Sequence, residues 1–340
     1  MRVAWCSSLS SCSLSGWYTS KLVALLKTEW EITLFTDDQD LLLANSWQVP
    51  VRHYLQIPLL QSEKDFDLFI HLFEDSNSSH FALYTMSLYP GVALVFDREF
   101  RKPGLENYPQ RVKILDALSQ SELIIGFNEH SIKSESDKVA LTYLPLELGP
   151  PKDVVSEPKI IGFAGTTSIS ERGSYAERAF QELAEQFPLK LHLIKSDNAH
   201  DLIDEISQVD IFWGNETSLT RSLPLPLLLA LSNGIPTIVT EHGIFSELPS
   251  AVAIKVQPVR TEVRELVEVT ALLISDYTKR STLAKQAREY IATVHNPNLI
   301  KQDLLQAVER NYGNIKKRFE LRGQQYSSEV NQLINDFMTL

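Results

Sequence analysis

Short apolar runs alternate with longer amphipathic stretches along most of this chain. Arg2–Cys6, Glu31–Thr36, Asp67–Phe73, Val92–Phe96 and Leu123–Phe127 are rich in β-branched, aliphatic or aromatic residues and predict strands. Between them, Gly16–Thr28, Phe81–Leu88 and Arg111–Leu118 read as helices; Trp17, Leu22, Leu25 and Leu26 supply one periodic face. The run DLFIHLF at 67–73 is nearly all apolar, as a parallel strand covered on both faces should be. This alternation predicts a doubly wound parallel sheet.

The rhythm breaks at residues 144–159, LPLELGPPKDVVSEPK, where Pro145, Pro150, Pro151 and Pro158 remove amide donors and fix φ. An extended connection between domains is expected there, with the boundary near residue 150. A second series follows, with strands over Lys159–Ala164, Leu189–Ile194, Asp210–Trp213, Pro236–Thr240 and Val252–Val256. Helices are predicted over Glu171–Phe187 and Ser222–Asn233, the latter stopped by Gly234. Further helices are expected over 260–277, 279–294 and 298–320, then a polar helical tail to Leu340. The expected fold is α/β: two Rossmann-like doubly wound domains at 1–150 and 151–315, facing a central cleft, with a tail at 316–340.

At 340 residues the chain is long enough for two cores. Its net charge of −11 argues against nucleic acid, whose phosphates call for a Lys/Arg surface. Lys316, Lys317, Arg318 and Arg322 cluster in the tail; they offer only weak attraction to an acidic membrane, and a solvated helix face is the plainer reading. Cys6 and Cys12 are the two cysteines, and reduced thiols are expected of both. No stretch reaches the roughly 18–20 apolar residues of a membrane span, and the first residues lack a long apolar leader, so a cytoplasmic location is expected.

Ligands in open α/β sheets bind outside the carboxyl ends of the strands, which directs attention to the loops after them. Ser7–Gly16 is made of small residues that let backbone approach a ligand, but it is not G-x-G-x-x-G, so the dinucleotide fingerprint is absent. Gly162–Gly173 contains Gly165 and Thr166 and enters a helix at Arg172, where a guanidinium and helix-end amides would neutralise a diphosphate. Gly214–Pro226 offers Asn215, Glu216 and Arg221 before an apolar helix entered at Ser222 and Leu223. Thr240–Pro249 gathers Glu241, His242 and Glu247 around Gly243, groups suited to binding hydroxyls or moving protons. In the first half, Asn77 and His80 follow the strand ending at Phe73, and Asp97 and Arg98 follow Phe96. Each feature also admits a bland reading: a serine-rich loop, a capped turn, a helix start at Ser246, or a surface charge pair.

These motifs, in this order, resemble the retaining glycosyltransferases of family 4 in the GT-B superfamily, over about residues 1–310. LPLPLLLALSNGIPTIVTEHGIFSELP is similar to the family's run E-G-F-G-L-P-x-L-E-A-L-x-x-G-x-P-V-I with its glycine loop and E-L. SGWYTSKLVALL resembles the entry to the family's first helix, and NSSHFALYTMSLYPGVALVFD its acceptor-side segment with N-x-x-H and P-G-V. The resemblance implies a nucleotide-diphospho-sugar donor on the second domain and a glycan, lipid or small-molecule acceptor on the first. It also implies hexose transfer with retention and no metal or other cofactor. Carried over by position, Gly16, Gly165, Thr166, Arg172, Ser222, Leu223 and Glu247 would meet the donor. Asp97, Glu216 and Arg221 would lie at the reacting centre, and Asn77 and His80 at the acceptor.

The match departs from the family at several positions. Its paired glutamates fall on Arg221 and Leu229, neither of which accepts hydrogen bonds as a carboxylate does. The usual phosphate-loop arginine falls near Thr166, and the histidine before Asp97 is Phe96. Glu216 is the nearby carboxylate in a position to substitute. These departures keep open a non-catalytic GT-B protein that binds a partner enzyme or a glycan. An epimerase or phosphorylase is a third reading, though no lysine is placed to hold the pyridoxal phosphate of such phosphorylases.

Overall fold

The computed structural model describes residues 1–9, 14–37, 48–64, 66–73, 80–96, 118–119, 121–127, 138–164, 171–196, 199–214, 224–258 and 262–338. The chain packs as two compact units: Met1–Leu144 with Asn298–Leu340, and Pro145–Pro297.

The first unit holds β1 (Arg2–Cys6), α1 (Leu14–Leu26), β2 (Glu31–Thr36), β3 (Val51–His53), α2 (Ile57–Lys64), β4 (Leu68–Phe73), α3 (His80–Leu88), β5 (Val92–Val95), β6 (Leu123–Gly126) and β7 (Val139–Leu141). All seven strands are parallel in the order β3-β2-β1-β4-β5-β6-β7, a doubly wound sheet that changes direction between β1 and β4. As the sequence predicts for a sheet covered on both faces, every residue of β4 and β5 is buried. The strands β3 and β7, three residues each, were not expected; so short a run carries too little alternation to register as a period. The helix expected over Arg111–Leu118 falls outside the described residues except at its last position.

Gly91, in the P-G-V motif, answers to packing: a Cβ there would run into the Phe69 carbonyl, and the Ser121 hydroxyl donates to Gly91 O at 2.7 Å. Beneath it, His71 is fully buried, with Nε2 2.9 Å from the Tyr89 carbonyl and Nδ1 3.1 Å from the Thr85 hydroxyl. The first contact fixes a neutral ring with its proton on Nε2, donating to the carbonyl. Burial penalises the imidazolium and lowers the pKa to about 4, against 6.5 in the open chain. The sign follows: this stability is present above pH 6.5 and is lost as pH falls through 4, because the unfolded chain takes up the proton first. Denaturant titrations are expected to show the first unit losing about 3 kcal/mol between pH 7 and pH 4. His71→Gln should flatten most of that slope, and an unchanged slope would remove His71 from the account. Cys6 is buried beside this network as a free thiol, its pKa pushed up to about 12 by desolvation.

The second unit holds β8 (Ile160–Ala164), α4 (Glu171–Ala184), β9 (Lys190–Ile194), α5 (Ala199–Ser207), β10 (Ile211–Gly214), α6 (Leu225–Asn233), β11 (Thr237–Thr240), β12 (Ile254–Val256), α7 (Glu262–Ser275) and α8 (Tyr277–Val294). Its five parallel strands run β12-β11-β10-β8-β9, so consecutive strands β8 and β9 sit at one edge and the order reverses between β8 and β10. Ile161, Phe163, Trp213 and Ile238 pack on Ala176, Leu266 and Leu273 to form its core. The helix α6 ends where predicted: Gly234 takes φ 73° and its amide reaches back to Ala230 and Leu231.

The proline-rich stretch is extended, as expected, but it is laced to the second unit rather than loose. Leu146 N donates to His295 O, Lys152 N to Asn233 O, and the Arg288 guanidinium to Gly149 O. The last helix, α9 (Pro297–Met338), runs 42 residues without a break. Where a tail following the second domain was expected, nearly all of α9 belongs to the first unit. Ile300, Leu304, Val308 and Ile315 are buried along one stripe, and Phe319 stacks on Phe69 at 5.6 Å. Among the described residues no helix is long and apolar enough to cross a membrane.

Candidate functional site

In the second unit the carboxyl ends of β8 and β10 lie side by side, with Ala164 in register with Gly214. This is the point of strand-order reversal, where a crevice opens because the flanking connections leave in opposite directions. Two of the loops singled out in the sequence depart from it: Gly165 and Thr166 follow Ala164 directly, and Asn215 and Glu216 follow Gly214. Both loops, with Arg221, Ser222 and Leu223, lie outside the described residues. What the structure describes is the frame that launches and receives them.

Two helix starts form the receiving side. The first is α4, whose first turn contains Arg172; its backbone is helical and its side chain lies outside the described residues. The second is α6, whose cap residue is Pro224, with φ −62° and ψ 139° and no cap hydrogen bond from its own side chain. Pro224 and Pro226 have no amide protons, and Leu228 N bonds back to Pro224 O at 3.1 Å. The cap residue therefore offers the first-turn amides of Leu225 and Leu227 no side-chain acceptor, and amides in that position suit an anion. The rest of α6 is buried from Leu227 to Asn233, so its position is fixed by packing rather than by the loop before it.

The strand β11 delivers the fourth loop. Glu241 receives a hydrogen bond from the Gln257 amide and lies 3.7 Å from Lys255 Nζ. Lys255 also donates to Ser246 O at 2.9 Å, closing the turn Gly243–Glu247. Ser246 does not cap a helix; its hydroxyl donates to Gly243 O. Glu247 ends this turn, exposed. A carboxylate that sequence reasoning passed over lies at the same sheet edge: Glu262, buried, accepts from the Thr240 hydroxyl at 2.8 Å. Its signal in the sequence was an acid opening a helix, which reads as ordinary dipole compensation.

In the first unit, Gly16 is buried in the first turn of α1, so the small-residue loop does lead straight into a helix there. His80 opens α3, with its side chain outside the described residues, as are Asn77 and Asp97. Phe96, which stands where the family resemblance leads one to expect histidine, has a physical role of its own. It is buried, stacked on Tyr18 at 5.2 Å and on Phe127 at 4.5 Å, an aromatic row across the ends of β5 and β6. Burial also raises the Tyr18 phenol, which therefore stays protonated.

No protein-family model and no curated protein matches the sequence. Solved structures do resemble it. Sucrose-phosphate synthase from Thermosynechococcus elongatus superposes with a TM-score of 0.66 at 12% identity, over 92% of this chain and 100% of that one. HepE of Anabaena, solved in complex with UDP and glucose, gives 0.64 at 12% identity, over 91% and 100%. An alpha-glucosyltransferase in complex with UDP-glucose and DNA containing an abasic site gives 0.63 at 11% identity, over 91% and 98%. The chain has the GT-B fold of these glycosyltransferases, at a sequence distance that marks it as divergent.

Proposed function

We propose that this chain is a glycosyltransferase whose second unit binds a nucleotide-diphospho-sugar and whose first unit binds a glycan, lipid or small-molecule acceptor, a hexose passing with retention. The observation that carries the reading is the start of α6 at Pro224, a cap residue with no side-chain acceptor, reached by the connection that leaves β10 at the β8–β10 reversal. Amides there, with Arg172 in the first turn of α4, would stabilise the negative charge that grows on the leaving diphosphate. Arg221 would add a second cation and Glu216 a carboxylate for the sugar hydroxyls, while Gly165, Thr166, Ser222 and Leu223 would supply backbone contacts. Catalysis would then be mostly positioning and charge stabilisation, which side chains and amides can perform.

One observation favours a second reading, a non-catalytic GT-B protein that serves a partner enzyme or a glycan. Leu229, at the position of a family glutamate, is only 6% exposed and belongs to the packed side of α6. Calorimetry of the whole chain with UDP-, GDP- and ADP-linked hexoses separates the two. One donor binding tightly is the expected result; silence across the panel at millimolar concentration favours the second reading.

A further inference from the structure

One face of the seven-stranded sheet in the first unit is covered by α2, α3 and α9 together. Ala4, Cys6, Phe35 and Phe69 meet Ile57 and Phe81 there, with Tyr54, Tyr89 and Phe319 packed around them. The three helices share this inner side, so the residues that point away from it share an outer side.

That outer side carries large apolar groups. Leu55 is 64% exposed, Leu59 62% and Tyr84 55%, and Pro58 between the leucines is exposed as well. The Tyr54 ring, just ahead of α2, lies 6.3 Å from Tyr84 on α3. Burial first, and then the neighbouring Tyr326 and Tyr84, raise the Tyr89 phenol, which brings α9 into the same patch. A lone exposed leucine needs no explanation, whereas a pair of them beside exposed tyrosines marks a surface that meets something other than water.

The charge beside this patch selects what it meets. Arg322 Nε donates to Ser87 O at 3.0 Å, and the Ser87 hydroxyl to Tyr84 O, so the basic cluster of α9 borders the aromatic residues. Ile315 and Phe319 face inward; at roughly 3.6 residues per turn, Lys317 falls on the opposite side of α9 and Lys316 on its flank. Both lysines are exposed. Lys316, Lys317, Arg318 and Arg322 against Glu320 and Glu329 leave this stretch net positive, in a chain whose net charge is −11. Charges beyond a Debye length of about 8 Å are screened at physiological ionic strength, so the local surplus acts on a surface in contact. Lysine is depleted from the middle of protein interfaces and suits anionic headgroups, while tyrosine, an apolar ring with a polar tip, suits the level where headgroups meet acyl chains. We propose that this face docks the protein on an acidic lipid bilayer, with Leu55 and Leu59 entering it and Lys316 and Lys317 against the headgroups. The basic cluster alone is a weak signal; stable peripheral binding takes two, and the fold sets an apolar one beside it. The inference does not depend on donor binding by the second unit.

Cosedimentation of the full chain with vesicles tests it, using phosphatidylcholine alone and phosphatidylcholine mixed with an equal part of phosphatidylglycerol. Binding to the mixed vesicles is expected, falling as salt is raised, with little binding to the neutral ones. Lys316→Gln with Lys317→Gln should weaken it about 25-fold, at about fivefold per charge. Leu55→Ser with Leu59→Ser should weaken it about tenfold or more. All four side chains are exposed, so both variants should melt as the wild type does. The proposal is overturned if the chain stays in solution with acidic vesicles, if it binds neutral vesicles equally well, or if either double variant binds as the wild type does. Sedimentation equilibrium without lipid covers the remaining occupant: a dimer that the leucine pair of substitutions dissociates would assign the face to a second copy of this chain and overturn it equally.

Discussion

Replacing Arg280 with alanine is expected to cost the second unit about 3 kcal/mol, because its guanidinium is a buried clasp rather than a surface charge. The residue is 1% exposed. One terminal nitrogen donates to Leu273 O and Ile274 O, the other to Val155 O at 2.7 Å and Ser156 O at 2.8 Å. Two of those carbonyls close the last turn of α7, where a helix has acceptors without partners and favours a cation. The other two belong to the proline-rich segment, so one side chain ties that segment to the helical face. For a unit of this size the loss corresponds to a fall of about 6–12 °C in melting temperature. Arg280→Lys should recover little of it, since an ammonium cannot present the planar fork that spans both pairs. Thermal and urea unfolding check the claim; a melting temperature within about 2 °C of the wild type would show the clasp to be dispensable.

Much of the frame was legible in the sequence, for a physical reason. Parallel strands covered on both faces write themselves as unbroken apolar runs, and β1, β2, β4 and β8 appear within a residue or so of where those runs predict them. Gly234 was readable because a left-handed residue at a helix end is a local requirement. What escaped was either short or non-local. The three-residue strands β3 and β7 are held by their neighbours in the sheet rather than by their own pattern. The return of α9 to the first unit rests on Phe69 and Phe319, 250 positions apart, a contact no window on the sequence contains. Arg280 and His71 looked like ordinary members of a helix and a strand; only the fold shows the four carbonyls that meet Arg280 and the carbonyl and hydroxyl that meet His71.

The candidate site was legible to a different depth. The sequence located its loops by their position after strands, and the sheet order adds the reason two of them belong together: β8 and β10 are neighbours at the reversal point. The residues that would do the chemistry sit in those loops, outside the described residues, so their roles rest on the frame and on the family resemblance. The departures from that resemblance have partial explanations. Phe96 belongs to an aromatic row and Leu229 to the buried side of α6, so packing has taken over two positions where polar groups were expected.

The second large effect is expected at Arg172, in the first turn of α4. If the diphosphate lies against that helix start, a guanidinium there stabilises it by charge-assisted hydrogen bonds that strengthen as the leaving group takes on charge. Removing one such donor from a preorganised site typically lowers turnover about 10²–10³-fold. The backbone of α4 and the amides of α6 remain, so some binding should survive and the protein should fold as before. The most direct test of donor binding by the second unit is a calorimetric titration of the wild type and Arg172→Ala, side by side, with the donor that binds tightest. Binding weakened about a hundredfold in the variant, at unchanged melting temperature, is the expected result; equal affinity in the two proteins would contradict the account.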